Sequence, residues 1–312
     1  MGTAHPTFMK KHIAGVLPVA HTPFHDDDTI DWESLERQIE WAFASGADGY
    51  CTGMVSELLR LTYHERLELT KRLGELNQGR GVVVIGVGAE STKQAIEYAR
   101  CAEESACDAI MAIPPISTAL PAQQTLSYFQ HIADAVALPL IVQDASSYVG
   151  QEIPLSVNIA LLDKYGPDKI LFKPEASPIG PKLSQLRDAT HGKAHIFEGS
   201  GGVCLVDSFR RGIVGTMPGM EFLAAVVALW KALQRGDEEA IYRLYLPLCA
   251  LVALQLQAGL DGFLAVEKYV LQKKGFFATA RRRKPLAWEL DEETRQELER
   301  LLTQLDAVTP KE

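Results

Sequence analysis

In "DKILFKPEAS", residues 168–177, an apolar run ends on a lysine, and a proline and a glutamate follow at once. Strand alternation puts Lys173 on the face of Leu171 while Ile170 and Phe172 take the other, so the amine follows a buried side chain into a core. A free lysine is almost wholly protonated at neutral pH, with roughly one amine in a few thousand neutral. Desolvation among apolar strands favours the neutral amine, which can condense with a ketone to a Schiff base. The protonated imine is an electron sink that acidifies the adjacent C–H. It permits either loss of a β-hydroxyl as water or cleavage of a C–C bond. The plainer reading of Lys173 is a strand-end lysine that snorkels outward or pairs with Glu175.

Such an amine needs a frame. Short β-like runs alternate with amphipathic helical stretches at a spacing of roughly thirty residues or less. The runs are "GVLPVA", "GYCTG", "VVVIGVG", "AIMAI", "LPLIVQ", "KILFK", "HIFEG" and "IVGTM". Between them Leu35, Ile39, Ala42 and Phe43 share one helical face, as do Leu126, Phe129, Ile132, Ala133 and Val136. Thr62 with Glu65, and Ser91 with Gln94, have capping-box spacing, and Pro121 suits a first helical turn. "FASGADGY" and "EESACDAI" echo one another as helix end, tight turn and new strand. Eight strand–helix units in about 220 residues fit an α/β chain closed into a (β/α)8 TIM barrel better than an open doubly wound sheet. We expect the barrel over residues 1–236 and a packed helical extension over 237–312, with helices near 237–256, 260–274 and 291–307. The C-terminal strand ends, where such a barrel keeps its chemistry, carry His21 and Thr22, Ser56 and Glu57, Gln143 and Asp144, Lys173 and Glu175, and then Glu198, Gly199 and Met217.

Composition bounds the partners. A chain of 312 residues with 47% hydrophobic and 23% charged residues is that of a globular protein. Its formal charge of −9 argues against nucleic acid and against a membrane surface, both of which call for a broad basic field. The basic run Arg281 to Lys284 reads as a solvated or substrate-rim feature. Five cysteines without a CxxC pair fit reduced thiols in a cytoplasmic protein. Lys10 and Lys11 precede a short apolar run that leads into acidic sequence, which suits a first strand better than a signal peptide. "FLAAVVALW" and "LYLPLCALVALQLQ" read as too short or too interrupted to span a bilayer. "GVGAES" lacks the third glycine of a dinucleotide fingerprint, and the histidines lack metal-site spacing, so we expect no cofactor and no metal.

From about residue 13 to 307 the chain resembles the dihydrodipicolinate synthase and N-acetylneuraminate lyase family of Schiff-base barrels. The motifs are "GVLPVAHTPF" with "DTID", then "TGMVSELLRLT", "GVGAESTKQAIEYA" and "MAIPP", and Lys173 falls where that family keeps its imine-forming lysine. Many members have Gly-Thr-Thr-Gly-Glu where this chain has Gly53-Met54-Val55-Ser56-Glu57, and Tyr-Asn where it has Gln143-Asp144. Tyr148 stands where the synthase has an arginine, so synthase activity is not expected. "VQDAS", "FKPEASPIGPKL" and "GFFATARRRKP" resemble the 2-keto-3-deoxy-pentonate dehydratase branch.

That resemblance implies a small 2-keto acid substrate and a homotetramer. It also implies dehydration, in which Lys173 condenses with C2 of a 2-keto-3-deoxy sugar acid, a base removes a C3 proton and the C4 hydroxyl leaves. Glu57 and Glu175 are the candidate proton carriers, unless Glu57 caps a loop and Glu175 pairs with Lys182. Ser56, Gln143, Asp144, His21, Gly199 and Met217 are the candidate substrate contacts. A pyruvate-releasing retro-aldolase and a barrel that only binds keto acids are the rivals.

Overall fold

The apolar runs form eight strands: β1 (Gly15–Val16), β2 (Gly49–Cys51), β3 (Val82–Gly86), β4 (Ala109–Ala112), β5 (Leu140–Asp144), β6 (Ile170–Pro174), β7 (Phe197–Glu198) and β8 (Gly215–Thr216). The computed structural model describes residues 11–310, so Lys10 lies outside the described residues. β2 to β6 pair in parallel in chain order, and β7, β8 and β1 pair in a second parallel run. Parallel bridges from Val19 to Cys51 and from Phe172 to Ile196 join the two runs into a ring. That closure makes a (β/α)8 barrel, not an open sheet.

Alternation along the strands separates two cores. Leu17, Cys51, Val84, Met111, Ile141, Leu171, Phe197 and Met217 point inward and fill the barrel. Val83, Ile110, Val142, Ile170 and Phe172 point outward and meet the helices. The surrounding helices are α1 (Trp32–Ala44), α2 (Tyr63–Asn77), α3 (Thr92–Glu104), α4 (Ala122–Ala135), α5 (Leu155–Tyr165), α6 (Ile179–Ala189), α7 (Leu205–Arg210) and α8 (Leu223–Arg235). On α1, Leu35, Ile39 and Ala42 are buried and Phe43 is partly so.

Local signals fix the helix starts. Thr62 and Glu65 form the reciprocal capping box, whereas Ser91 accepts from the Gln94 N–H and Gln94 turns its own amide to Tyr98. Pro121 is the N-cap residue of α4, one position before the first turn. The internal echo is also structural, because Gly46 and Ala106 both take a left-handed backbone after their helices. Two residues on, the carboxylates of Asp48 and Asp108 accept from the Val16 and Val83 N–H groups of the preceding strands.

Beyond the barrel lie α9 (Glu238–Leu256), α10 (Gly259–Lys273) and α11 (Glu292–Val308). α9 is one continuous helix with the length and apolarity of a bilayer span, which corrects the expectation of a segment too short or too interrupted. Its Ile241, Leu244, Leu248, Leu251 and Val252 are buried, and it packs against α8, α10 and α11. The arginines of the basic run are paired and partly buried, which corrects the expectation of a solvated or substrate-rim feature. Arg281 pairs with Asp28, Arg282 donates to Trp288 O, and Arg283 pairs with Glu65 while lying 4.5 Å over the Phe24 ring. Arg281 and Arg283 fasten the chain after α10 to the segments that follow β1 and β2, and Lys284 alone of the run is exposed.

Candidate active site

Lys173 ends the inward face of β6 above Leu171, and only 4% of it is exposed. Parallel register sets Gln143 of β5 directly beside it. The chain then turns at Pro174, and the Glu175 N–H donates to Asp144 O at 2.9 Å, which brings the Glu175 carboxylate back over the strand ends. There Lys173 Nζ donates to Glu175 Oε1 at 3.1 Å and Gln143 Nε2 donates to Glu175 Oε2 at 2.6 Å. Burial raises the Glu175 carboxyl above the usual range, while the Lys173 charge and the Gln143 hydrogen bond work against that rise. Gly199, after β7, leaves the room these groups occupy, because a β-carbon there would overlap Glu175 Oε1 and the end of Lys173.

The Lys173 amine, Glu175, Gln143, Gly199 and Met217 line one cleft. Tyr148, Phe263 and Glu267 complete its walls. The Tyr148 ring meets Phe263 edge-on, with centroids 5.9 Å apart. Burial, together with the charges of Glu175, Glu198 and Glu267, holds its hydroxyl protonated well above the ordinary range. The arrangement can do acid–base chemistry on a ligand held at an amine, with a carboxylate already in contact with that amine.

Four sequence candidates sit beneath or beside the cleft. Glu57, in a left-handed backbone, is buried with Oε1 paired to Lys268 and Oε2 accepting from the Arg283 N–H at 2.8 Å. It anchors α10 and the arginine clasp and does not line the cleft. Ser56 bonds Ala20 O and the Gly53 N–H, so its hydroxyl closes the loop after β2. Asp144 accepts from the Ser146 and Ile153 N–H groups and braces the loop that carries Tyr148. His21 is fully buried and its ring lies 3.1 Å from Val55 O through Nδ1, while Nε2 accepts from the Met220 N–H. Burial lowers its pKa to about 3, so it is neutral. None of the four has a polar group turned to the cleft. Lys182 pairs with Glu152 and leaves Glu175 to Lys173.

Reasoning from strand ends missed Glu221, Glu267 and Lys268. A signal was present on α10, where Glu267 shares a face with Phe263, Val270 and Leu271 and must therefore be buried beside a lysine. His21, Glu221 and Glu267 bring potential ligand atoms within 4.8 Å of one another. A metal does not suit them as they stand. A carbonyl can only accept, so the His21 Nδ1 facing Val55 O carries the proton, and Nε2 is taken by Met220, which leaves two carboxylates.

The model of the dihydrodipicolinate synthetase family matches residues 12–305. An L-2-keto-3-deoxyarabonate dehydratase of Azospirillum brasilense is 28% identical over 304 residues, which is 94% of each chain. A probable 2-dehydro-3-deoxy-D-pentonate aldolase of Escherichia coli K12 is 29% identical over 144 residues, 46% of this chain and 48% of its own. The crystal structure of dihydrodipicolinate synthase from Rhodopseudomonas palustris superposes with a TM-score of 0.84 at 27% identity, over 94% of this chain and 97% of that one. The family model and the superposed barrel both run along nearly the whole length, and the chain belongs to the dihydrodipicolinate synthetase family.

Proposed function

We propose that this protein is a Schiff-base lyase that dehydrates a 2-keto-3-deoxy sugar acid. The observation that carries the reading is a buried strand-end amine with a cleft beside it and a single hydrogen bond among the described residues, to a carboxylate of raised pKa. Glu175 takes a proton from Lys173, the neutral amine adds to the C2 ketone, and Glu175 returns the proton to the carbinolamine hydroxyl, so that water leaves, the protonated imine forms and Glu175 is again a carboxylate. Glu175 then removes a C3 proton, and the C3–H pair becomes the C2=C3 bond of an enamine. The nitrogen lone pair then re-forms C=N, the C2=C3 pair makes C3=C4 and the C4–O pair leaves on oxygen, which takes up a proton and departs as water. Hydrolysis frees the keto acid and the lysine. Gln143 cannot titrate, so it holds Glu175 in place through these steps. Tyr148 offers a neutral hydroxyl to the substrate's own hydroxyls.

Dehydration is favoured over retro-aldol cleavage by the full-length likeness to a keto-deoxy-arabonate dehydratase, against a likeness over less than half of the chain to the aldolase. Two measurements test the reading. Borohydride with a keto-deoxy pentonate should add a stable mass to Lys173 and none to Lys173→Ala. Product masses should show one keto acid lighter by a water; pyruvate with an aldehyde would assign cleavage instead, and trapping without turnover would leave a binding protein.

A further inference from the structure

Two buried carboxylates face each other across Gly219, in a wall of the same cleft. A β-carbon on Gly219 would overlap both Glu221 Oε2 and Glu267 Oε1, so the glycine leaves the space they share. Glu221 comes from the loop after β8, is 1% exposed and has Oε1 bonded by Gln255 Nε2 at 2.7 Å. Its Oε2 is buried and has no partner. Glu267 of α10 is also 1% exposed; its Oε2 is buried without a partner and the residue lines the cleft. Charged and titratable neighbours come from every side. His21 is 3.5 Å from Glu267 Oε2, but its proton points to Val55 O. Lys268 is used by Glu57, Thr22 O and Arg281 O, and Lys274 donates to the backbone O of Glu221. Tyr148 and Glu57 add nearby groups that do not neutralise the pair.

Two carboxylates this close and this dry do not both ionise. A proton between them gives the unpartnered Glu221 Oε2 a donor, and with the histidine engaged it does so better than a cation. Burial and the Glu221 charge push the Glu267 carboxyl well above its ordinary range, and burial raises Glu221 as well. We infer that Glu221 and Glu267 share one proton and that Glu267, the member on the cleft wall, delivers it to the leaving hydroxyl of the substrate. This inference rests on the dehydratase reading and divides its labour. Glu175 receives the C3 proton. As the C4–O bond breaks with its pair on oxygen, the Glu267 O–H bond breaks with its pair on the carboxylate, and one water departs. Glu175 then loses its proton to solvent and Glu267 regains one, which restores both. Glu221 is the positioning residue, since its negative charge keeps the proton on its neighbour.

Three measurements on the full chain test this. Infrared difference spectroscopy of the wild type should find a buried protonated-carboxyl C=O band that Glu267→Gln removes. Glu267→Gln should still be trapped at Lys173 by borohydride, while turnover falls about 10²- to 10⁴-fold. Glu221→Gln should move the alkaline limb of the rate profile to lower pH, because loss of the neighbouring charge lets Glu267 ionise sooner. The inference is overturned by absence of the band in the wild type, by wild-type turnover and profile in Glu267→Gln, or by a stoichiometric divalent ion that Glu267→Gln releases. If the wild type is not trapped at Lys173, the dehydratase reading fails and the acid role with it; the band then reports on the shared proton alone.

Discussion

The barrel mouth holds two buried lysine–glutamate pairs, Lys173 with Glu175 and Lys268 with Glu57, and only the first lines the cleft. Burial does not separate them, since Lys173 and Glu175 are each 4% exposed while Lys268 and Glu57 are 0% and 2%. Saturation does. The three N–H bonds of Lys268 go to Glu57, to Thr22 O at 2.8 Å and to Arg281 O at 2.9 Å, and its ammonium lies 4.3 Å from the Phe24 ring centroid. Burial pulls it down to about 8, and the Glu57 charge opposes that fall, so it stays a cation at neutral pH. Lys173 donates one hydrogen bond among the described residues, with a glycine opposite and a cleft beside it. A buried lysine with every donor filled is an anchor; one with donors to spare beside a cleft has room to meet a ligand.

Exchanging the same substitution between the two sites gives the largest effects. Lys173→Met should abolish trapping and lower turnover by at least about 10⁴-fold. It should change stability little, because the Glu175 carboxyl, already raised by burial, can take up a proton. Lys268→Met leaves the buried Glu57 with only the Arg60 guanidinium, 3.7 Å from Oε2, and the Arg283 N–H, and should cost about 3–5 kcal/mol in urea unfolding. The protein that remains folded should still be trapped at Lys173. Loss of trapping in Lys268→Met at unchanged stability would reverse the two assignments.

A smaller effect should come from the space around the reactive amine. Gly199→Ala puts a methyl group where Glu175 Oε1 and Lys173 sit, so the pair must shift. A displacement of that kind should slow imine trapping by about 10²-fold. Far-ultraviolet circular dichroism should remain that of the wild type. A trapping rate unchanged by this substitution would mean that the amine reacts from a different position.

Lys173 was legible because everything that positions it is local: period-two alternation, a following proline, and a glutamate two residues on. The eight strands and the three extension helices were legible for the same reason. The setting of Glu57 was not legible because it depends on Lys268, which is 211 positions away, and on a backbone N–H of Arg283. The arginine run looked solvated because its partners Asp28 and Glu65 precede it by more than 200 residues. Ser56, Asp144 and His21 were correctly put at strand ends, but a strand end states only that a residue is near the mouth. Whether its polar atoms face a ligand or close a loop is decided by backbone groups that have no side-chain signature. Glu267 could have been found, since a charged residue on the apolar stripe of α10 has to be buried.

The smallest predicted effect concerns what tunes Glu175, and it has no counterpart at Glu57. Gln143 Nε2 stabilises the ionised carboxylate by donating to Oε2, opposing the rise caused by burial. In Gln143→Leu that opposition is gone, so the Glu175 pKa climbs further. A base works above its pKa, and the acid limb of kcat/KM should therefore move to higher pH, by about one to two units if the charged hydrogen bond has its usual strength. The alkaline limb should stay in place. Glu57 Oε2 is held instead by the backbone N–H of Arg283, which survives Arg283→Ala, so that substitution should leave both limbs unmoved. A limb that moved with Arg283→Ala and stayed fixed with Gln143→Leu would assign the titrating carboxylate to the other pair.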